Sequence, residues 1–446
     1  MSALFTPYIR HEILLLMSEA SRQLARQIFS EAMAATTVEV TCTRLLSIQN
    51  GKLRAANLTY NLASFTDIQI ISIGKAGATL FDAIRPLLPA NLSIRTIISA
   101  PSPPQHLTPA DLYFPGGHPL PNAASLAAAN AALELLATAT DKTLVLFLIS
   151  GGASAMFEQP IHSLDPRLTL DALIDLNRQL VASGASIRQI NTVRKHLSAV
   201  KGGRLANAAP TATKLSLFVS DVPFDALDAL ASGPTLPDPT TTEQALAIIH
   251  QHLPAMPPPS FAETPKPGHP AFGNANHIVL LDNAALLEAA KQSAERLGFT
   301  VTIDNTCDDW DYEQAATHLL DHSSRLSREH KRSCLLSGGE VTVRLPAISG
   351  DGGRNQQLAL FAAQHLTGTT VLSAGSDGID GNSLAAGAVA DETTWPRALQ
   401  QGLNPADFLA RFDAGTLLDS LGDTILTGPS GNNLRDIRIL LTDAET

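Results

Sequence analysis

The stretch TLVLFLISGGAS, residues 143–154, joins a β-rich apolar run to a glycine-rich turn. Seven more β-rich runs occur along the chain, at residues 68–73, 94–100, 215–219, 278–281, 299–303, 333–336 and 369–373. Segments with the apolar spacing of helices alternate with them, at residues 12–35, 123–137, 171–183, 284–297 and 313–328. This alternation indicates βαβ units, so the sequence predicts an α/β fold with mostly parallel sheets flanked by helices.

The composition excludes several classes of protein. The 446 residues include 31 basic and 42 acidic side chains, and the formal net charge of −11 argues against binding to nucleic acid or to an anionic membrane. The three cysteines are unclustered, which excludes a disulfide framework and fits a reducing cytosol. The apolar stretches are too short to span a bilayer, and the N-terminus lacks the pattern of a signal peptide. We therefore expect a cytoplasmic protein without membrane or nucleic-acid partners.

A proline-rich segment suggests two domains. Residues 254–270 contain seven prolines and are predicted to be a linker. The linker would separate a larger N-terminal domain, residues 1–253, from a smaller C-terminal domain, residues 271–446.

Glycine-rich turns follow β-rich runs in both predicted domains. They are GKAG (74–77), SGGAS (150–154), SGGE (337–340) and AGSDG (374–378). Ligands of open parallel sheets bind beyond the carboxyl ends of the strands, and glycine lets backbone N–H groups approach an anion closely. The turns therefore predict a phosphorylated ligand in a cleft between the domains.

Three basic features fit an anionic ligand. Lys75 lies between glycines where a strand meets a helix, a position that suits contact with phosphate. Residues 186–204 carry five basic side chains and no acidic one, so they form either a solvated face or an anion funnel that extends to Lys201. Arg354 lies where a glycine-rich loop meets the start of a predicted helix, and its guanidinium could bind phosphate or carboxylate through two hydrogen bonds.

Two aspartates follow strands directly. Asp221 comes after the run 215–219, and Asp377 lies in the turn after the run 369–373. A carboxylate at such a place can hold Mg²⁺ or accept a proton from a hydroxyl, although each aspartate taken alone is equally typical of a turn or a helix cap.

Several familiar motifs are missing from the sequence. It contains no Walker A loop, no G-x-G-x-x-G after a β-rich run and no G-x-S-x-G. His318 and His322 have the spacing of a zinc-binding pair, but their polar segment lacks the glutamate of H-E-x-x-H. We interpret that segment as a surface helix.

In series, these motifs resemble the glycerate 2-kinases with a C-terminal MOFRL domain, a family formerly often labelled hydroxypyruvate reductase. The matching strings are SIGKAG (72–77), GGHPLPNAAS (116–125), LISGGASA (148–155), SGASIRQINTVRKHLSAVKGGRLA (183–206), SDVP (220–223), ASGPTLPDPTT (231–241), LSGGEVTV (336–343), GDGGRNQQLAL (350–360), GSDGIDGNSLAAGAVAD (375–391) and LTGPSGNNLRDIRILL (426–441). They keep their order across essentially the whole chain.

The resemblance implies ATP-dependent transfer of a phosphoryl group to the 2-hydroxyl of D-glycerate, with a need for Mg²⁺. It also implies a Rossmann-like N-terminal domain, a MOFRL domain and an active site in the cleft between them. The positions that line the family's active site match Lys75, Asp221, Arg354 and Asp377, and either aspartate could be a metal ligand. We expect the phosphates to contact the turns and the basic run, at Gly74, Gly77, Gly151, Gly152, Ser154, Lys201, Gly338, Gly339 and Glu340.

Three departures from the family pattern leave the exact hydroxy acid open. Phe224 replaces a glycine, while Asn122 and Gln357 each replace a carboxylate by an amide. The alternatives are an NAD(P)-dependent hydroxypyruvate reductase, a kinase for a related hydroxy acid, and a non-catalytic sensor of sugar acids. The sequence does not choose between a monomer and a homodimer.

Overall fold

The computed structural model describes the backbone of residues 5–443 and the side chains of residues 18–223 and 226–443. The strands of this part of the chain are β1 (Leu46–Gln49), β2 (Lys52–Ala55), β3 (Leu58–Asn61), β4 (Asp67–Ile73), β5 (Ser93–Ala100), β6 (Asp111–Pro115), β7 (Thr143–Ser150), β8 (Thr213–Val219), β9 (Ala275–Leu281), β10 (Thr300–Ile303), β11 (Arg332–Gly339), β12 (Thr369–Gly375), β13 (Gly387–Ala390), β14 (Thr424–Ile425) and β15 (Asp436–Asp443).

The α-helices are α1 (Phe5–Ala35), α2 (Val38–Leu45), α3 (Gly77–Ile84), α4 (Ala123–Leu136), α5 (Ala153–Met156), α6 (Leu170–Ala182), α7 (Ile187–Leu197), α8 (Arg204–Asn207), α9 (Thr242–His252), α10 (Asn283–Arg296), α11 (Tyr312–Glu329), α12 (Arg354–Ala363), α13 (Thr394–Gln400), α14 (Pro405–Ala410) and α15 (Ala414–Ser420). Short 3-10 helices cover Leu62–Ser64, Arg85–Leu87, Phe224–Ser232 and Pro270–Phe272. Among the described helices, none has both the length and the apolarity that a membrane span requires.

The chain forms two compact units whose boundaries differ from the predicted ones. The continuous unit is Val38–Leu280, and the split unit joins the N-terminal segment up to Thr37 to the chain from Leu281 onward. The helix α1 thus belongs with the C-terminal part, because its apolar residues pack on α10, β12 and β15.

The predicted linker, residues 254–270, belongs to the continuous unit. The backbone N–H of Ala262 donates to the carbonyl of His196 at 3.0 Å, and the N–H of Asp238 donates to the carbonyl of Pro265 at 3.0 Å. The Thr264 hydroxyl is buried and donates to Asp238. These bonds hold the proline-rich segment against its own unit, and β9 beyond it forms the edge strand of that unit's sheet.

The continuous unit contains a six-stranded sheet with the order β6-β5-β4-β7-β8-β9. Its strands from β6 to β8 pair in parallel, and α3 and α4 pack against them. The central strands are buried on both faces: every residue of β7 is buried. The α/β class that the sequence predicts is therefore confirmed. A separate antiparallel sheet, β1-β2-β3, was not predicted.

The split unit contains a second six-stranded sheet with the order β10-β11-β15-β12-β13-β14. Among the described pairings of this second sheet, only β10–β11 is parallel. The strand β15 runs antiparallel to both of its neighbours, and β13 runs antiparallel to β12 and β14. The prediction of a mostly parallel sheet was wrong for this unit. The reason is the return of the chain's last strand into the middle of the sheet, which reverses its direction relative to β11 and β12.

Candidate active site

In the continuous unit, three neighbouring strand ends bring predicted site residues together. The strands β4, β7 and β8 lie side by side in parallel, so their carboxyl ends share one edge of the sheet. The N–H of Lys75 donates to the carbonyl of Gly151 at 2.9 Å. A Cβ atom added at Gly151 would collide with the carboxylate of Asp221, and one added at Gly152 would lie 3.0 Å from Cγ of Lys75.

The turn after β4 holds its backbone in place and exposes one side chain. Gly74 adopts φ +109°, which is accessible to glycine, and a Cβ there would collide with Ser150. The Ser150 hydroxyl accepts the N–H of Ala76 at 3.0 Å. Gly74, Ala76 and Gly77 are buried, whereas Lys75 is exposed. The fold therefore presents the Lys75 ammonium to solvent at this edge of the sheet.

His118 adjoins the same edge, although sequence reasoning did not select it. Its Cδ2 atom would lie 3.0 Å from a Cβ at Gly152. Partial desolvation, and then the positive charge of Lys75, lower the pKa of His118 below its ordinary value. The lowered pKa favours the neutral imidazole, which can accept a proton. The string GGHPLPNAAS contained the signal, since it placed a histidine within the family pattern.

A small cavity opens beside His118. It measures about 170 Å³ and is lined by His118, Gly152, Ser154, Glu158 and Arg194 among others. The polar side chains in its wall are suited to a small polar ligand.

Ser154 belongs to a chain of hydrogen bonds that sequence reasoning also missed. Its hydroxyl lies 3.0 Å from that of Ser232, which donates to Asn191 Oδ1 at 3.1 Å. Ala231 and Ser232 adopt positive φ angles of 53° and 60°, a conformation that costs a residue with a side chain about 1–3 kcal/mol. Such strain is typical of residues held for function.

The basic run differs from the predicted anion funnel. Lys201 is buried and forms an ion pair with Glu158. Lys195 is buried as well and pairs with Asp228 and Asp238. Acidic residues distant in sequence thus neutralise these lysines inside the fold. Contrary to the prediction, Lys201 therefore does not present its charge to solvent.

In the split unit, Arg354 is bound by residues of that unit. Its Nε and Nη2 atoms donate to the two oxygens of Asp436 at 2.6 and 2.9 Å, and Nη2 lies 3.0 Å from Glu340 Oε1. The Asp436 side chain is 1% exposed and that of Arg354 35%. The bidentate contact that was predicted for a ligand is thus made with Asp436. The Nη1 atom of Arg354 takes no part in this contact with Asp436. The sequence analysis did not single out Asp436, although it lies in the string 426–441, because its contact with Arg354 joins residues 82 positions apart.

Asp377 lies near this ion pair. A Cβ at Gly375 would lie 3.2 Å from Oδ1 of Asp377 and 3.4 Å from Oδ1 of Asp436. Oδ1 of Asp377 also accepts the N–H of Ile379 at 3.2 Å, as a turn residue does. The glycine thus allows two carboxylates to approach the end of β12 together.

Contrary to the prediction, the SGGE segment (337–340) at the end of β11 does not offer its N–H groups to an anion. Side-chain oxygens of Asn305, Asn283 and Asp308 accept the N–H groups of Gly338, Gly339 and Glu340 respectively, at 2.9 to 3.0 Å. The carbonyls of the two glycines accept from the buried guanidinium of Arg438. The turn is therefore fixed on both sides by its own unit.

Two departures from the family pattern have structural roles. Asn122 caps α4 by accepting the N–H of Ser125 at 2.9 Å, and its amide donates to the carbonyl of Pro115 at 3.1 Å. Gln357 is buried and donates to the carbonyl of Leu409 at 2.9 Å. Each amide makes a donor bond that a carboxylate could not make. The side chain of Phe224 lies outside the described residues.

A larger cavity lies within the split unit. It measures about 590 Å³, a volume in the range of sites for small molecules and cofactors. Its wall combines the glycine-rich loop and Arg354 with apolar side chains, including Val343, Leu345 and Phe412.

The carboxylates fit the Mg²⁺ that the family resemblance implies. Asp221 lies against the backbone of Gly151, and Asp377 lies beside Asp436 at Gly375. Carboxylate oxygens are the protein ligands that Mg²⁺ prefers, and one or two of them suffice when phosphate oxygens and water complete the shell.

Comparisons with known proteins agree with these features. A family model described as a domain of unknown function, DUF4147, matches residues 24–263, and the model of the MOFRL family matches residues 333–436. D-glycerate 2-kinase from Thermotoga maritima is 31% identical over 397 residues, which cover 86% of this chain and 93% of that protein. Glycerate kinase from Homo sapiens is 31% identical, with coverage of 95% and 93%.

The fold also matches a solved structure. The crystal structure of glycerate kinase from Thermotoga maritima superposes with a TM-score of 0.84 at 29% identity, covering 95% of this chain and 100% of that chain. With both family models and relatives that span nearly the whole chain, the protein belongs to the glycerate kinase family with a C-terminal MOFRL domain.

Proposed function

We propose that this chain transfers the γ-phosphoryl group of ATP to the 2-hydroxyl of D-glycerate. The observation that carries the proposal is the shared sheet edge of the continuous unit, where the backbone N–H of Lys75 binds the carbonyl of Gly151, the Asp221 carboxylate lies against Gly151, and the Lys75 side chain is exposed. Phosphoryl transfer needs positioned charges more than covalent help from the protein, and this edge supplies a cation, a carboxylate and a close-approaching backbone. The names of the relatives support glycerate as the acceptor.

The reaction assigns a task to each charged group. The 2-hydroxyl oxygen of glycerate forms a bond to the γ-phosphorus, the bond from that phosphorus to the β,γ-bridging oxygen breaks, and ADP leaves with the electron pair. Lys75 binds an anionic oxygen of the phosphates or of the glycerate carboxylate, where its charge stabilises the transition state. Arg354 does the same through the part of its guanidinium that lies outside the Asp436 pair.

Asp221 and Asp377 are suited to two tasks that the reaction requires. One carboxylate accepts the proton of the 2-hydroxyl or orients it, and the other contributes to holding Mg²⁺. The metal ion, when bound, neutralises phosphate charge. Asp221→Asn and Asp377→Asn would divide the tasks: the variant whose activity recovers at raised Mg²⁺ has lost the metal ligand.

The product distinguishes this function from its alternatives. We expect ADP release with D-glycerate, and formation of phosphoenolpyruvate when enolase is added without a mutase, because enolase accepts 2-phosphoglycerate only. ADP release without phosphoenolpyruvate would contradict the 2-position, and a screen of related three- and four-carbon hydroxy acids would then find the acceptor. Oxidation of NADH with hydroxypyruvate and no ADP release would identify a reductase, while ligand binding without turnover would identify a sensor.

A further inference from the structure

Three metal-binding side chains meet in the split unit, apart from the residues assigned above. They are Asp304, which follows β10, and His318 and His322 of α11. His318 Nε2 lies 2.9 Å and His322 Nδ1 lies 2.7 Å from the same carboxylate oxygen, Oδ2 of Asp304. One ligand atom from each residue lies within 4.8 Å of the other two. The polar helix interpreted as a surface element thus contributes two residues to a three-residue cluster.

The local fold prepares this geometry. The two histidines are four residues apart, so they lie on one face of α11, one turn from each other. The hydroxyl and N–H of Thr306 bind Oδ1 of Asp304 at 2.6 and 3.0 Å, which leaves Oδ2 directed at the imidazoles. Thr306 Oγ1 also lies 3.1 Å from His318 Nε2. The Asp304 side chain is 8% exposed, while the imidazoles remain open to solvent at 32% and 24%.

Asp304 is ionised in this setting. Burial alone would raise the pKa of its carboxyl group, but the hydrogen bonds from Thr306 and from the two imidazoles hold the pKa below its ordinary value. An anionic oxygen and two imidazole nitrogens form a donor set that suits a divalent transition-metal ion.

We propose that Asp304, His318 and His322 form a Zn²⁺ site, with water in the fourth position. Two imidazole nitrogens and one carboxylate oxygen are the ligands of several open zinc sites, and the partial exposure of the histidines gives the ion a way in. In the absence of metal both imidazoles donate to Oδ2. Metal binding would require each of these ring nitrogens to give up its proton, which the other nitrogen of the ring can carry.

The site would tie a loop to a helix. The loop after β10 carries Asn305 and Asp308, whose side chains accept the N–H groups of Gly338 and Glu340 at 2.9 and 3.0 Å. A metal ion that joins Asp304 to α11 would fix the start of this loop. We therefore expect Zn²⁺ to raise the unfolding temperature of the full-length protein.

The test uses tag-free, chelator-treated, full-length protein. Isothermal titration calorimetry with Zn²⁺ should give one site per chain. The Zn²⁺ affinity should fall by about tenfold or more in each of the variants His318→Ala, His322→Ala and Asp304→Asn, because even outer-shell changes at metal sites lower the affinity 10- to 100-fold. His330→Ala, at the end of the same helix, is the matched control and should bind as the wild type does. Circular dichroism and melting in EDTA show whether each variant is folded.

A second measurement, of tryptophan fluorescence, locates the bound metal ion. The ring centroid of Trp310 lies 5.4 Å from that of His318, so bound Co²⁺ should quench its fluorescence. Trp310→Phe should remove the quenching and retain Zn²⁺ binding, and excess Mg²⁺ should not displace Co²⁺. Equal Zn²⁺ affinity in the wild type and a folded His318→Ala/His322→Ala variant would overturn the proposal, as would quenching that persists in that variant.

Discussion

Lys75 combines exposure with a rigid setting, since its side chain is solvent-exposed while the turn around it is buried and hydrogen-bonded. Replacing it removes a positive charge that backbone N–H groups cannot substitute. We predict that Lys75→Ala lowers kcat/KM for glycerate phosphorylation by about 10²-fold or more, because the charge acts on the transition state. Steady-state kinetics with ADP detection measures the effect.

Lys142 provides the matched control. It is also exposed, but it precedes Thr143 at the amino end of β7, whereas Gly151 follows the carboxyl end of the same strand. Lys142→Ala should retain the activity of the wild type, and both variants should melt at the wild-type temperature. A Lys75→Ala variant with near wild-type turnover would show that Lys75 is an ordinary surface residue.

At the scale of single residues, the sequence shows which side chains follow a strand or a glycine. It does not show which residues form contacts over a long distance in the chain. The placement of Lys75 and Asp221 at neighbouring strand ends could be predicted, because each comes shortly after a β-rich run. Asp436 could not, since its contact with Arg354 joins residues 82 positions apart. For the same reason the ion pair of Lys201 with Glu158 was not foreseen: the basic run contains no acid, and its partner comes from another segment.

Among the elements, strands buried on both faces were the most predictable. An unbroken apolar run such as β7, with helical segments on either side in the sequence, indicates a buried strand of a parallel sheet. All eight predicted runs coincide with strands. The strands of the sheet β1-β2-β3 are only four residues long, which weakens their signal in the sequence. The central place of β15 depends on pairing with strands far away in the chain, and no local pattern encodes that pairing.

The helix α1 attaches to the split unit through a buried charge as well as apolar contacts. Arg22 is buried and forms ion pairs with Asp391 and Asp423, and its Nη2 donates to Thr394 at 3.1 Å. Without Arg22 the buried carboxylate of Asp391 would lose its cation, whereas Asp423 keeps its ion pair with Arg397. Leaving one buried charge uncompensated costs about 3–5 kcal/mol. We predict a loss of this size in the free energy of unfolding for Arg22→Met, measured by urea denaturation.

Gln23→Met is the control for this variant. Gln23 is exposed on the same helix, so the substitution introduces the same side chain without removing a buried charge. Its free energy of unfolding should stay within about 0.5 kcal/mol of the wild-type value. If Arg22→Met proved as stable as Gln23→Met, the ion pairs would contribute nothing net to the attachment of α1.

At the scale of the whole molecule, the two units differ in how the chain supplies them. The continuous unit consists of one uninterrupted segment, whereas the split unit draws α1 from the other end of the sequence. The buried residues of α1 from Ala25 to Ala32, among them Ile28 and Phe29, belong to the core that the split unit forms. A helix pattern in the sequence identifies α1 but carries no information about which sheet it covers.

This difference predicts which fragments fold. The fragment 38–280 should unfold in one cooperative transition on its own. The fragment 271–446, which is the C-terminal domain predicted from the sequence, should not, because it lacks the apolar face of α1 and leaves the buried carboxylates Asp391 and Asp423 without Arg22. Joining residues 1–37 to residues 281–446 through a flexible linker should restore a cooperative transition. Calorimetry and near-UV circular dichroism measure all three, and a sharp transition in 271–446 alone would favour the boundaries predicted from the sequence over those of the structure.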